Sequence, residues 1–128
     1  MMRERVMPWR DAAVGGLGLA AMLAAPAAAT AEALLPKDIQ ATFFDGRSFT
    51  ATTPSGVSFE MVFDADGTMR RKPVTKDGSK GEGTWTLDAD GFCTTWKGHK
   101  TSCFKVLPAG PNAWAVMKGP TLKATWSK

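Results

Sequence analysis

Along most of this chain apolar and polar residues alternate. From Ser48 to Thr53, Phe49 and Ala51 alternate with polar neighbours. Val57, Phe59, Met61 and Phe63 share one face, with Ser58 and Glu60 on the other. The same period of two surrounds Met69 in Thr68–Lys72, Trp85 and Leu87 in Thr84–Leu87, Trp114 and Val116 in Asn112–Met117, and Leu122, Ala124 and Trp126 in Thr121–Ser127. Successive side chains of a strand point to opposite faces, so each run reads as a strand with one buried face. Turn formers separate the runs: Pro54-Ser55-Gly56, Asp64-Ala65-Asp66-Gly67, Asp88-Ala89-Asp90-Gly91, Pro108–Pro111 and Lys118-Gly119-Pro120. Gly67 takes the turn position that needs positive φ, and Asp88–Gly91 repeats that quartet word for word. Val74–Gly83, polar and rich in Gly and Lys, is expected to be a loop.

Gly91 to Val106 reads as a hairpin turning at Lys97-Gly98-His99. Folding it about Gly98 sets Cys93 opposite Cys103, since each lies five positions from the centre. Directly opposed residues bring their Cβ atoms within disulfide reach. The nine-residue gap is not C-x-x-C, and two Cys with the single His99 make a poor metal set. A disulfide is therefore expected, worth ~3 kcal/mol at most for so short a loop. On this hairpin Phe92, Thr94 and Trp96 share a face with Ser102, Phe104 and Val106, and the two Cys lie on the other.

About eight short strands joined by tight turns make an antiparallel up-and-down meander. Eight strands can close into a barrel, which abolishes exposed sheet edges. A sandwich is the competing layout, disfavoured by the lack of long crossovers. The expected fold is all-β, with the interior drawn from Phe49, Val57, Phe59, Met61, Phe63, Met69, Trp85, Leu87, Phe92, Trp96, Phe104, Val106, Trp114, Val116, Leu122 and Trp126. Glu32–Phe44 is the one helix candidate in this part of the chain: Pro36 suits a first helical position, and Leu35, Ile39 and Phe43 fall at helical spacing before Asp45-Gly46 stops it. Such a helix would cap one end of the sheet. This divides the chain into residues 32–45, a segment with a short helix, and residues 46–128, the barrel.

The first 31 residues break the pattern. Arg3, Arg5 and Arg10 precede Ala12–Ala25, 14 uncharged residues, then Pro26 and small residues ending in Ala29-Thr30-Ala31. That run falls short of the roughly 20 apolar residues a membrane-spanning helix needs. The order of basic, apolar and small-residue regions is that of a secretory signal peptide, cleaved before Glu32 or, alternatively, after Ala29. No Cys follows the apolar run and no twin Arg precedes it, so neither a lipid anchor nor twin-Arg export is expected. A periplasmic or secreted protein without a transmembrane anchor follows, and that compartment permits the Cys93–Cys103 bond.

Composition adds constraints. At 44% hydrophobic and 22% charged the chain is globular in type. The net charge of +4 is too small and dispersed to argue for nucleic acid. A domain of this size buries only about 60% of its unfolded surface, so a covalent staple helps it.

Gly83-Thr84-Trp85, Asp90-Gly91-Phe92-Cys93, Trp96, Cys103 and the closing Trp126 resemble an uncharacterised group of small exported proteobacterial proteins, themselves similar to lipocalin-like or avidin-like meander barrels. The likeness spans roughly residues 42–128. It implies a barrel and brings no catalytic residues. The lipocalin G-x-W signature near the first strand is not matched, since Gly46-Arg47-Ser48-Phe49 lacks both its spacing and its Trp.

Candidate chemistry is sparse. The two Asp-Ala-Asp-Gly quartets lack the Glu at position 12 of a calcium loop, where Thr75 and His99 stand instead. His99 sits on a hairpin tip with no nucleophile signature near it, and no catalytic set, metal set or cofactor motif is visible, so no enzyme activity is expected. Two binding candidates remain. Arg71, on the Met69 face near the barrel mouth, with Trp85, Trp96, Trp114 and Trp126, is the candidate ligand set for a small apolar or amphipathic molecule, although the tryptophans would equally serve as core filling. Arg70, Arg71, Lys72, Lys76 and Lys80 form the candidate partner-binding set, as in an inhibitor of an exported protease or cell-wall hydrolase. If the export reading holds, mass analysis of protein secreted by its host gives a mature N-terminus at Glu32 or Thr30; one well before Ala29 overturns it.

Overall fold

The computed structural model describes residues 32–128. The apolar run at Ala12–Ala25 and the expected cleavage site lie outside them. The alternating runs form eight strands: β1 (Phe49–Thr52), β2 (Ser58–Phe63), β3 (Thr68–Pro73), β4 (Gly81–Leu87), β5 (Phe92–Trp96), β6 (Ser102–Gly110), β7 (Ala113–Lys118) and β8 (Thr121–Ser127). Each pairs antiparallel with the next, and β8 returns to β1 through Ala51 opposite Trp126, closing the barrel. The turn about Gly98, at φ +84°, puts Cys93 directly opposite Cys103, and the two are joined by a 2.01 Å S–S bond on the outer face. No described helix is long and apolar enough to cross a membrane.

The inner face holds Phe49, Ala51, Phe59, Met61, Phe63, Met69, Trp85, Phe92, Val106, Val116 and Trp126, all buried. Val57, Leu87, Trp96, Phe104 and Trp114 are partly buried against this core. Leu122 departs from the expected interior and is 40% exposed. The cause is a bulge: Val116 pairs with Ala124 but Met117 pairs with Leu122, so Lys123 is an extra residue in β8. One inserted residue flips the faces of everything beyond it.

Two boundaries also differ from the sequence pattern. β4 begins at Gly81, inside the expected loop, because Arg71 and Arg70 of β3 find their partners in Gly81 and Glu82. β6 runs on through Pro108 to Gly110 with a register irregularity, where a turn was expected. Pairing along the whole barrel wall outweighs the weak strand preference of Gly and Pro. The two identical quartets fold differently. Gly67 has φ +96°, as its turn requires. Gly91 is not at positive φ; it is needed because a Cβ there would lie 2.0 Å from the Phe104 carbonyl oxygen.

One end of the barrel is closed by aromatic side chains. The helix α1 (Pro36–Phe43) starts on Pro36 and buries Ile39 and Phe43. Leu35 lies before its first turn and is 57% exposed, so it does not join them. Phe44 leaves helical geometry, with φ −104° and ψ 48°, and the amide of Gly46 donates to Phe63 at 2.9 Å, tying the chain to β2. Asp45 accepts from both the backbone and the guanidinium of Arg47, and that backbone bond above all holds its carboxyl below the usual carboxylate range. So anchored, Phe44 stacks on Phe63 at 4.6 Å and packs on Trp85 at 4.5 Å and Phe92 at 5.5 Å. Phe43 meets Phe49, Trp114 and Trp126 within 5.1 Å. Trp85 spends its one polar atom on the Asp64 carbonyl, 2.8 Å away.

Truncating a buried Phe costs about 3–5 kcal/mol, whereas exposed positions stay within about 0.5 kcal/mol. Phe44→Ala is expected to lose the former and Leu122→Ser no more than the latter in urea denaturation; equal losses would contradict both placements.

Candidate functional site

Strand direction sorts the loops. The β2–β3, β4–β5 and β6–β7 turns share the end closed by α1, and the β1–β2, β3–β4, β5–β6 and β7–β8 connections surround the opposite mouth. Below that mouth lies a cavity of about 230 Å³. Phe63, Phe92 and Trp126 form its floor, Met61, Phe104 and Val116 its walls, and Thr53, Phe59, Arg71, Trp96 and Lys123 its rim. Small-molecule sites more often span about 300–1,000 Å³, so this one suits a small ligand.

Arg71 dominates the rim. It alternates with Met69 in β3 and therefore points inward, half-buried. Its guanidinium lies between two rings, 4.6 Å from Phe59 and 4.7 Å from Trp96. Opposite it stands Gly81, where a Cβ would come within 3.0 Å of Arg71 Nε and 3.3 Å of the Trp96 ring. The missing side chain at Gly81 makes the space that the Arg71–Trp96 stack fills. Arg71 Nε donates to the Ser79 carbonyl at 3.2 Å. Burial lowers its pKa from the ordinary arginine value, but a guanidinium keeps its charge. Among the described residues neither Arg71 nor Lys123 forms an ion pair.

The predicted tryptophans divide between the two ends. Trp96 stands at the rim and Trp126 in the cavity floor. Trp85 and Trp114 pack against the Phe43–Phe44 plug, away from the cavity lining. The basic set also divides. Arg70 points outward and pairs with Asp64 at 2.6 Å, and Lys72 pairs with Glu60 at 3.2 Å. Arg70, Lys72 and Lys80 border an outer groove that Glu60 and Glu82 share, and Lys76 is exposed on the β3–β4 loop. Asp88 lies beside Cys93 and Cys103, but both sulfurs are used in the disulfide, leaving one carboxylate as a metal donor there.

Of the cavity residues that sequence reasoning did not single out, Lys123 and Thr94 bear most on its chemistry. Lys123 comes over the mouth only because of the β8 bulge. Thr94 had the right face, between Phe92 and Trp96, but no reason to stand out. It is 5% exposed and lines the cavity, and its hydroxyl makes no side-chain hydrogen bond among the described residues.

No family model, no curated protein and no solved structure matches this chain. A meander barrel hosts many unrelated functions, so the functional argument rests on the site itself.

Gly81→Ala is expected to push Arg71 out from between its rings. The ring-current shift of the Arg71 Nε–H signal should then fall in NMR spectra while the melting temperature changes little. An unmoved signal would contradict the stack.

Proposed function

We propose that this is an exported binding protein that holds a small amphipathic molecule in its mouth-side cavity. The observation that carries the reading is the cavity's make-up: an apolar floor and walls under a rim bearing an inward, half-buried cation. Few polar groups above an apolar interior orient a ligand while burial supplies affinity. Export is part of the proposal, since the Cys93–Cys103 bond persists in oxidising compartments and the N-terminal 31 residues read as a signal peptide. The absence of any catalytic set in the sequence makes the proposed role non-enzymatic.

Binding of an envelope protein through Arg70–Lys80 is the weaker reading, because Arg70 and Lys72 are already matched by Asp64 and Glu60. Native mass spectrometry of protein purified gently from its own host tests the preferred reading. A bound small molecule that also quenches Trp fluorescence saturably on re-addition is expected. Empty protein, with no quenching across a broad panel of amphiphiles, would overturn it.

A further inference from the structure

The rim and the buried hydroxyl constrain the ligand's chemistry. A guanidinium offers five N–H donors, and Arg71 gives one of them to a described acceptor, the Ser79 carbonyl. The Phe59 and Trp96 rings lie 4.6 and 4.7 Å from its central carbon, and its remaining donors have no described side-chain or backbone acceptor. A guanidinium edge held in this way matches the two oxygens of a carboxylate. Lys123 adds a second cation to the rim, brought there by the β8 bulge.

The wider surface reinforces the sign. Lys76, Lys80, Lys97, Lys100 and Lys118 stand on or beside the mouth loops against one acidic residue on those loops, Asp77, whereas Asp64, Asp66, Asp88 and Asp90 sit on turns at the closed end, where Arg47 and Lys128 also lie. The excess of lysine at the mouth draws anions toward it.

Thr94 supplies a second point of recognition. It lies two residues deeper in β5 than Trp96, about 7 Å along the strand. A buried hydroxyl facing an apolar cavity without a partner is costly, and a ligand oxygen at that depth would satisfy it.

We propose that the cavity takes a small organic acid whose carboxylate sits at Arg71 and Lys123 and whose chain carries a hydroxyl or carbonyl oxygen at the level of Thr94. The proposal rests on the binding reading above and narrows it to one ligand class. The cavity volume corresponds to about eight water-sized groups at ~30 Å³ each, so the acid is short.

Calorimetric titration of the purified protein with four probes of one chain length tests it: octanoate, methyl octanoate, octylammonium, and octanoate bearing a hydroxyl midway along its chain. Octanoate is expected to bind at least tenfold more tightly than the ester or the ammonium. Arg71→Gln should remove that preference while leaving the ester's weak binding unchanged. The hydroxylated acid should bind more tightly than octanoate, and Thr94→Val should abolish that gain but keep the preference for a charged head. Equal binding of ester and acid would overturn the assignment of charge while leaving a binding cavity in place. No advantage for the hydroxylated acid would overturn the role of Thr94. Binding by none of the four, at concentrations where other amphiphiles quench Trp fluorescence, would overturn the organic-acid class alone; absence of any binder would overturn the underlying reading as well.

Discussion

The structure depends on the contact of Phe44 with Phe63, Trp85 and Phe92. A barrel of this strand number has an interior just wide enough to be filled by side chains. In this protein the strands alone do not fill it. Two consecutive aromatics at the end of α1 supply the missing volume, and they supply it at one end only. Phe43 and Phe44 are both essentially without exposed surface, which a chain of this length attains in few places. The plug in turn fixes the geometry of its surroundings: α1 must end at Phe43, Gly46 must turn back to β2, and the Trp85 indole must reach the Asp64 carbonyl. Filling one end leaves the other incompletely packed, so the cavity is a consequence of where the aromatics are spent.

At the mouth the balance of forces changes from packing to electrostatics. Arg71 is held where desolvation opposes its charge. Two aromatic faces offset part of that cost, each cation–π contact being worth about 0.5–2 kcal/mol depending on exposure. A fold that sought only stability would place an apolar residue there, since a half-buried cation without a carboxylate is weak evidence of stabilisation. Thr94 has the same character, a polar atom inside an apolar chamber. Both are local departures from the consistency of the rest of the chain, and such departures gather at functional sites.

The sequence made the strands legible because each carries its apolar residues at period two, and it made the hairpin register legible because Gly98 is equidistant from Cys93 and Cys103. Arg71's inward direction followed from Met69 by the same alternation. What escaped the sequence was set by pairing between strands rather than within them. The β8 bulge, which turns Leu122 outward and brings Lys123 to the rim, exists only in relation to β7. The early start of β4 at Gly81 is imposed by β3, against the preference of Gly-rich segments for loops. Phe44 belongs to neither the helical nor the strand period, so nothing in the pattern marked it as central. Thr94 was on the expected face, but its lack of a side-chain hydrogen bond among the described residues is a property of three-dimensional surroundings.

One end of this barrel is sealed by the aromatic plug, and the proposed ligand enters at the other. The most direct measurement follows the four indole N–H signals of Trp85, Trp96, Trp114 and Trp126 by NMR as octanoate is added. The Trp96 signal is expected to move saturably, Trp126 in the floor to respond less, and Trp85, bonded to Asp64 behind the plug, to stay in place. Movement of Trp85 and Trp114 with Trp96 unmoved would place ligand entry at the helix end and overturn the assignment of the open mouth.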